Sequence, residues 1–343
     1  EPPYAWLMRL SIFSSIRVPA RFGMPAMLAL AMTGALAFHR LHLRPPARRA
    51  LAAALMIGVV ADGWIRDMPL PKVPDVWDAA RAEGFDAVLE LPLGNVMDDL
   101  TAMYRVVDHG HPVVNGNSGF APTSYGVVRT AFQDHDPAAL DGLPPATRIL
   151  VVVDRQHDTS GGWQRFLEGH PRVTRLAPDP RWAFYAVQPP PADPLTCGGP
   201  SIPIVAIADA DGGDPLKVLT DADPQTWWAT RHPQRAGDHL QLDFGAAVHP
   251  CAVTLGVGPF LDSYPRQMVI DTSMDGVIWT TIATRRTAGM TMRAAIADPR
   301  HVSISIPLVS NAARYVRLRL EESHPNFPWI VTDVAVTRAS GAE

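Results

Sequence analysis

The chain has 343 residues, enough for two or three domains, and its 34 prolines and 25 glycines supply many turns and linkers. Its formal net charge is −4, so no basic surface predicts nucleic-acid binding. No glycine-rich phosphate motif such as GxGxxG or GxxxxGK predicts nucleotide binding. The sequence does not begin with Met, and we expect it to be part of a longer chain.

Residues 1–66 predict a membrane-anchoring region. Residues 1–23 mix large apolar side chains with arginines, as in helices that lie at a membrane interface. Two apolar runs follow, Met24–Phe38 and Ala50–Ala61, and predict two transmembrane helices in contact with lipid. Each run is short against the about 20 residues of a typical span. The alternative is a buried helical hairpin, although neither run shows the polar stripe that such a hairpin presents to water.

The basic segment between the two runs predicts the orientation of this region. It carries Arg40, Arg44, Arg48 and Arg49, and loops rich in arginine and lysine stay on the cytoplasmic side of a membrane. We therefore expect everything after about residue 66 to lie on the extracytoplasmic side.

Residues 67–190 predict a small extracytoplasmic α/β domain. Continuous apolar runs in this region are typical of strands that are covered on both faces. Helices alternate with these strands, and that alternation favours a mainly parallel sheet. The predicted strands cover 87–93, 148–154 and 182–187, and the predicted helices cover 75–83, 98–107 and 161–169.

A loop rich in glycine and asparagine, at 109–125, is the most polar part of this domain. His109 and His111 form an HxH pair, but no third metal ligand lies at a typical spacing, so we interpret the segment as a polar loop. Its side chains are candidates for contacts with a glycan or a polyprenyl-phosphate headgroup, or they satisfy the backbone of their own loop. They are Asn115, Asn117, Ser118, Ser124 and Tyr125.

A proline-rich linker is predicted at 191–200. The only two cysteines of the chain, Cys197 and Cys251, lie in this linker and beyond it. In an oxidising compartment they would pair across about 54 residues and stabilise the fold by about 3–4 kcal/mol. The alternative is two unpaired buried thiols, and the sequence leaves both open.

The segment 216–230, LKVLTDADPQTWWAT, is rich in oxygen atoms at fixed offsets. Asp221, Asp223 and Thr226 follow one another in a turn that Pro224 stiffens. Hard cations such as Ca²⁺ take six to eight oxygen ligands, and a tight loop of this kind supplies several at once. The sequence therefore predicts a structural cation site, with a metal-free Asx-type turn as the alternative.

Residues 201–343 predict an all-β sandwich that begins around this loop. The region resembles a discoidin-type domain, the coagulation factor 5/8 C-type module, whose sugar-binding relatives are the family 32 carbohydrate-binding modules. The resemblance implies a jelly-roll fold. It is carried by VLTDADPQTWWAT at 218–230, HLQLDFG at 239–245, YPRQMVIDTSMDGVIWTTI at 264–282, ARYVRLRL at 313–320 and WIVTDVAV at 329–336.

The resemblance also implies the ligands of a structural Ca²⁺ ion that ties the first loop to the last strand. Asp333 stands where the family more often has Glu, and its shorter side chain makes bidentate closure harder. The implied ligands are the carbonyl of Val218 and the side chains of Asp221, Asp223, Thr226, Thr332 and Asp333.

A carbohydrate site is expected on the loops at one end of the sandwich, where aromatic faces and planar polar groups meet sugar rings and hydroxyls. The loop 322–329, ESHPNFPW, is the strongest candidate because His, Asn and Phe lie together there. Trp227 and Trp279 are predicted to lie in the core, since each sits in an alternating strand pattern. The candidate carbohydrate contacts are Trp228, Arg231, His232, Tyr264, Arg266, His324, Asn326 and Phe327.

The α/β region has a second, fainter resemblance. VLELPLG at 88–94 and VVNGNSGFAPTSY at 113–125 are similar to the extracytoplasmic tail of bacterial polytopic glycosyltransferases of the C superfold, as is SSIRVPARF at 14–22. In that superfold the catalytic carboxylate usually lies in the first extracytoplasmic loop, which this sequence lacks. The resemblance implies the C-terminal part of an enzyme in the bacterial cytoplasmic membrane, whose sandwich binds carbohydrate or glycolipid. The alternatives are a non-enzymatic membrane-anchored adhesion protein and a purely structural module.

Overall fold

The computed structural model describes residues 23–62, 64, 72–118, 122–190, 197–308 and 312–339. The chain divides into two compact units, Glu1–Lys72 and Val73–Glu343.

The described part of the first unit consists of two helices, α1 (Gly23–Arg40) and α2 (Pro45–Asp62). No helix in the described ranges combines the length and the apolar character needed to cross a membrane. Both helices have only 18 residues, and their ends are polar. The last turn of α1 holds His39 and Arg40, while α2 carries two arginines near its start and Asp62 at its end.

The prediction of two transmembrane helices is therefore wrong, and so is the predicted location in a bacterial cytoplasmic membrane. A span needs about 20 apolar residues in one uninterrupted helix, and both apolar runs are shorter than that. Membrane lipid loses its support as a partner for the same reason. The predicted interfacial segment lies outside the described residues as far as residue 22.

The second unit begins with an α/β region. Its strands are β1 (Ala87–Leu91), β2 (Ile149–Asp154), β3 (Val173–Arg175) and β4 (Trp182–Val187). Its helices are α3 (Val96–His109), α4 (Thr123–Gln133) and α5 (Gly162–Glu168), with 3₁₀ helices at Ala79–Ala82 and Pro137–Gly142.

Three predicted strands correspond to β1, β2 and β4, and two predicted helices correspond to α3 and α5. The predicted helix at 75–83 is reduced to one 3₁₀ turn. Local chemistry explains why α3 forms where it does. The Asn95 side chain accepts a hydrogen bond from the Met97 N–H at 3.0 Å, and Gly110 ends the helix in the left-handed conformation, with φ of 70°.

The sheet of the α/β region has the strand order β1-β2-β4-β3. Only β1 and β2 pair in parallel, whereas β4 runs antiparallel to both β2 and β3. The prediction of a mainly parallel sheet is therefore wrong. The error arose because β3 was not predicted: its three residues show no apolar pattern in the sequence. Helix α5 carries the chain from β2 to β3, and a hairpin then returns β4 into the gap between them.

The all-β region follows, and the prediction of a C-terminal sandwich is confirmed. A five-stranded sheet has the order β10-β9-β12-β7-β5, a three-stranded sheet has the order β11-β8-β14, and β13 pairs with β6. All of these pairs are antiparallel. The strands are β5 (Ala206–Asp209), β6 (Trp228–Pro233), β7 (His239–Val248), β8 (Pro250–Gly256), β9 (Gln267–Ser273), β10 (Thr280–Arg286), β11 (Ser303–Pro307), β12 (Ala313–Leu320), β13 (Pro328–Val331) and β14 (Asp333–Arg338).

The connections between the strands contain two helices, α6 (Leu216–Leu219) and α7 (Ala288–Ala297), and one 3₁₀ turn at Leu261–Ser263. The core between the sheets follows from the alternating pattern of the strands. In β7, for example, Leu240 and Leu242 are fully buried, while Gln241 between them is partly exposed.

The start of the sandwich is fixed by a disulfide between Cys197 and Cys251, on strand β8. An antiparallel bridge between Ser201 and Thr337 adds a second attachment four residues later. The chain that leaves the predicted linker is therefore held against β8 and β14 from its first described residues.

The α/β region and the sandwich pack directly against each other inside the second unit. Helix α7, inserted between β10 and β11, contacts α4 and the 3₁₀ helix Pro137–Gly142. The two backbones meet at glycines. A Cβ atom on Gly142 would lie 2.9 Å from the Cα of Gly289, and one on Gly289 would lie 2.4 Å from the carbonyl oxygen of Ala138. The sandwich and the α/β region consequently share one continuous apolar core.

Candidate functional site

The oxygen-rich loop after α6 is arranged around one hydroxyl group. Oγ1 of Thr226 lies 2.9 and 3.0 Å from the carboxylate oxygens of Asp221, 3.0 Å from the carbonyl oxygen of Asp223 and 3.5 Å from that of Val218. A hydroxyl carries a single proton, so it can donate to only one of these acceptors. Two backbone groups of the loop also donate: the Asp223 N–H lies 3.0 Å from Asp221 Oδ1, and the Thr226 N–H lies 3.1 Å from the Asp223 carbonyl oxygen. The loop therefore gathers more oxygen lone pairs than these three donors use, and a cation could share the remaining ones.

Strand β14 brings a second carboxylate to this loop. Burial raises the pKa of Asp333, and the negative charge of Asp221 raises it further. Thr332 is buried beside it, and a Cβ atom on Gly256 would lie 2.4 Å from the Thr332 hydroxyl oxygen. The oxygen-rich loop and strand β14 therefore lie next to each other.

The donor set is one that suits a hard cation. Within the part of the chain that the structure describes, no group of three or more His, Cys, Asp or Glu side chains could hold a metal ion. A site here would depend on two carboxylates, a hydroxyl and backbone carbonyls, which are the ligands of Ca²⁺ and not those of zinc. The Asp223 side chain departs from the prediction, because it turns back to accept a hydrogen bond from the Gln225 N–H at 2.9 Å.

A second polar cluster lies where the loop 322–329 meets the α/β region. The Arg266 guanidinium donates from Nε to the Asp134 carboxylate at 3.1 Å, and His324 Nε2 lies 3.4 Å from the other oxygen of that carboxylate. Asp134 follows the last residue of α4, so these contacts join the α/β region to the sandwich. Nearby, the Thr130 hydroxyl donates to Asp262 at 2.5 Å.

A cavity of about 420 Å³ opens beside these groups, and we call it the interdomain cleft. A further ion-pair network lies along it, in which Arg286 binds the Glu322 carboxylate and lies 3.7 Å from Asp136 Oδ2. Both structural regions contribute walls. The lining residues are Asp134, His135, Asp136 and Pro137 from the α/β region, with Arg266, Arg286 and residues Glu322 to Asn326 from the sandwich.

His324 is held in its neutral form by its surroundings. Burial lowers its pKa, the nearby Arg266 cation lowers it further, and the Asp134 carboxylate opposes both. Its Nδ1 accepts hydrogen bonds from the N–H groups of Asn326 and Phe327 at 3.2 and 3.1 Å. The Nε2 atom therefore carries the proton and points to Asp134. The ring also stacks on Phe327, with centroids 5.0 Å apart.

The structure thus brings together part of the predicted carbohydrate set. Arg266, His324 and Asn326 line the interdomain cleft. Phe327 lies behind them, 5.7 Å from the Arg266 guanidinium. Tyr264 is fully buried under that guanidinium at 4.0 Å, so the prediction that it contacts a sugar is wrong.

The remaining candidates lie on β6 and do not line the cleft. The Trp228 indole donates to the Asp209 carboxylate at 2.9 Å and packs edge-on against Trp329, so it is tied into the sandwich. His232 lies 3.8 Å from Asp238. Arg231 is exposed beside them.

Neither Trp227 nor Trp279, which were predicted to lie in the core, is buried. Trp227 is 49% exposed and contacts Phe260, because it precedes β6 and lies outside the alternation of that strand. Trp279 is half-buried in the turn before β10, where Arg317 lies 4.2 Å above its ring. The fully buried tryptophan of this sandwich is Trp329.

The polar loop of the α/β region is anchored to strand β1 by Asn115. The Asn115 side chain accepts from the Glu90 N–H at 2.7 Å and donates to the Glu90 carbonyl at 2.8 Å. His109 stacks on Trp77, and its Nδ1 accepts from the His111 N–H at 3.1 Å. The two histidines are therefore held by local contacts of the loop.

Sequence reasoning missed the α/β side of the cleft entirely. Asp134 and Asp136 are more than 120 residues from His324, and no local pattern marks them. Arg286 and Glu322 were missed for the same reason, since their meeting depends on the pairing of strands. Only the three-dimensional contact of the two regions reveals this set.

The comparison with protein families locates the β region. The sequence model described as the F5/8 type C domain matches residues 203–332. The C-terminal sandwich is an F5/8 type C domain. The match includes the oxygen-rich loop and every sandwich residue that lines the interdomain cleft, while the α/β side of the cleft lies before it. A comparison with curated proteins gives no match.

Solved structures resemble the F5/8 type C domain over part of the chain. The CBM32 of AlyQ in complex with 4,5-unsaturated mannuronic acid is 19% identical over 41% of this chain and 99% of that one, with a TM-score of 0.32. The C-terminal domain of a chitobiase from Bacteroides fragilis is 16% identical over 39% and 91%, with a TM-score of 0.30. A truncated AlyQ with CBM32 and alginate lyase domains is 22% identical, at a TM-score of 0.33; the match spans 42% of this chain and 34% of that one. At these TM-scores the likenesses carry no argument about ligand or activity.

Proposed function

We propose that the F5/8 type C domain of this protein binds carbohydrate in the interdomain cleft. The observation that carries the proposal is the meeting of Arg266, His324 and Asn326 around one small cavity, with Phe327 behind them. Planar polar side chains of this kind fix the directions of sugar hydroxyls, and Phe327 holds His324 in place by stacking on its ring. The resemblance of residues 201–338 to carbohydrate-binding modules supports the same class of ligand.

The polar groups of the cleft are already fixed in position. Its arginines are already engaged with carboxylates, at 3.1 Å between Arg266 and Asp134 and at 3.2 Å between Arg286 and Glu322. Such pairs hold donors and acceptors in fixed positions before a ligand arrives, which reduces the entropy lost on binding. The volume of about 420 Å³ lies at the lower end of small-molecule sites, so the ligand is a short saccharide.

We propose in addition that the oxygen-rich loop holds a structural Ca²⁺ ion. The gathering of acceptor oxygens around the Thr226 hydroxyl supports this role, as does the repulsion between the Asp221 charge and Asp333. The ion would neutralise two neighbouring carboxylates and tie the loop to β14. The glycosyltransferase context, which three short segments of the sequence implied, finds no support in the comparisons with known proteins.

Titration of the whole chain with a panel of glycans, followed by calorimetry, tests the carbohydrate proposal. Asn326→Ala removes an exposed amide from the cleft, and we expect it to weaken binding by roughly tenfold, since hydrogen bonds to sugar are lost without a change in the core. Asn117→Ala is the matched control, because Asn117 belongs to the polar loop of the α/β region, which was the competing candidate.

Three results would contradict the proposal. The chain binds no glycan while its fold is intact, or Asn326→Ala leaves binding unchanged, or Asn117→Ala alone abolishes it. The last result would move the site to the polar loop.

A further inference from the structure

The α/β wall of the interdomain cleft is rigid and specifically shaped. Asp134 and Asp136 flank His135, whose φ of 51° turns the chain sharply between α4 and the following 3₁₀ helix. The N–H groups of these three residues donate to carbonyls of the last turn of α4, at 2.9 to 3.0 Å. Asp136 then caps the 3₁₀ helix by accepting from the Ala138 N–H through Oδ1, at 2.9 Å. The Asp136 carboxylate is thus held at the cleft by a local hydrogen bond, whereas the Asp134 carboxylate is held by Arg266 and His324 of the sandwich.

Two buried polar atoms on opposite walls of the cleft lack hydrogen-bond partners. Oδ2 of Asp136 has none, although the residue is only 4% exposed. Its nearest cation, Arg286 Nη1, is 3.7 Å away, which is too far for a hydrogen bond. On the sandwich side, Arg266 is 3% exposed and its Nη2 has no partner either. A buried charged group left in this state is costly, and both atoms have almost no accessible surface in the unliganded cleft. A ligand hydroxyl that displaced the neighbouring side chains slightly would supply each atom with the partner it lacks.

The charge balance of the cleft selects the kind of ligand. Three carboxylates, on Asp134, Asp136 and Glu322, face two guanidinium groups, on Arg266 and Arg286. His324 adds no positive charge, because its ring is held in the neutral form. The net charge of the lining is therefore about −1, which disfavours an anionic sugar such as a uronic acid.

We propose that Asp136 of the α/β region is a specificity-determining residue that, together with Arg266, selects the terminal unit of an uncharged glycan through two neighbouring hydroxyl groups. This inference rests on the proposed carbohydrate binding. One hydroxyl donates to Asp136 Oδ2, and its neighbour accepts from Arg266 Nη2. The α/β wall stands directly across the small cleft from the sandwich, so the interior of a long glycan chain does not fit, whereas its end does.

The test uses the whole chain and calorimetric titration with methyl galactoside, methyl glucoside, methyl N-acetylglucosaminide and glucuronic acid. We expect at least one neutral sugar to bind more tightly than glucuronic acid. Asp136→Asn keeps the Oδ1 cap but turns an N–H group towards the ligand hydroxyl, and it should weaken neutral-sugar binding by roughly tenfold. Asp78→Asn is the matched control, because Asp78 caps the 3₁₀ helix Ala79–Ala82 by the same bond, at 3.1 Å, but is exposed. It should leave affinity unchanged.

A second measurement keeps the test independent of how well the variant folds. Monodeoxy analogues of the best sugar, titrated against the unaltered protein, should identify two adjacent hydroxyls whose removal weakens binding most. Equal affinity of Asp136→Asn and the unaltered chain, a preference for glucuronic acid, or the absence of such a hydroxyl pair would each overturn the inference. If these results occur while Asn326→Ala still weakens binding, only the role of Asp136 falls. If no sugar binds at all, the proposed function falls with it.

Discussion

The glycine contact between α7 and the 3₁₀ helix gives the sharpest test of how the two regions are joined. Gly289→Ala introduces a methyl group 2.4 Å from the carbonyl oxygen of Ala138 and 3.0 Å from the N of Gly142. An ordinary carbon–oxygen contact is about 3.3 Å or more, so one backbone has to move by about 1 Å. Neither neighbour is a flexible side chain that could rotate away.

Two opposing contributions set the magnitude. Overpacking of this kind costs roughly 1–3 kcal/mol, and a clash with backbone belongs at the upper end of that range. Alanine returns about 1 kcal/mol relative to glycine in a helix interior, and less at Gly289, the second residue of α7. We therefore expect Gly289→Ala to lower the free energy of unfolding by about 2 kcal/mol, or the melting temperature of the second unit by roughly 4–8 °C.

Gly126→Ala is the matched control, because Gly126 lies in α4 at the same interface. A Cβ atom there would be 3.7 Å from Asp262 Oδ1, an ordinary contact, so this variant should gain up to about 1 kcal/mol. Thermal unfolding followed by circular dichroism measures both variants. A melting temperature for Gly289→Ala at or above that of the unaltered chain would refute the close backbone contact on which the joint between the regions depends.

Two further predictions concern the loops of the sandwich. Chelation of Ca²⁺ should lower the melting temperature of the chain, because a ligand bound only to the native state stabilises it. The Asp221→Ala variant should melt at the temperature of the chelated protein, with or without added Ca²⁺. An unchanged melting curve in excess chelator would count against the ion. The pKa of His324 is lowered from its ordinary value of 6.5 by burial and by Arg266, against the opposing charges of Asp134 and Asp262. The stability it contributes is therefore complete above pH 6.5 and is lost as the pH falls through the lowered pKa. Melting between about pH 7.5 and 5.5 should show a decline that His324→Asn removes, and an identical decline in that variant would show that another group titrates.

The sequence predicted the sandwich well because its strands alternate clearly. In residues 239–244 of β7 and 316–320 of β12 every second residue is apolar and buried, so register and inward face follow directly from the pattern. The two adjacent tryptophans show the limit of that reasoning. Trp227 and Trp228 are adjacent, and the strand begins at Trp228. Trp227 is therefore outside the alternation of the strand, and Trp228, not Trp227, packs against the sandwich.

The errors elsewhere have equally physical causes. A three-residue strand, β3, changed the α/β sheet from parallel to mixed and left no trace in apolar spacing. The first unit was misjudged because the two apolar runs were treated as spans, although charges and prolines occupy the ends of α1 and α2. Only part of the interdomain cleft could be assembled from the sequence. His324, Asn326 and Phe327 are close in sequence, whereas Asp134 and Asp136 reach them only through the docking of two regions.

That docking also limits how the protein can be divided for study. Helix α7 belongs to the chain of the sandwich, yet the side chains of Ala288, Met292 and Ala295 are buried in the shared core, and the helix contacts α4 and the 3₁₀ helix after it. A fragment cut at the family boundary near residue 203 would carry this helix with its apolar side bare, and such a surface promotes aggregation. Residues 73–343, the second compact unit, keep α7 covered, and truncations should respect that boundary.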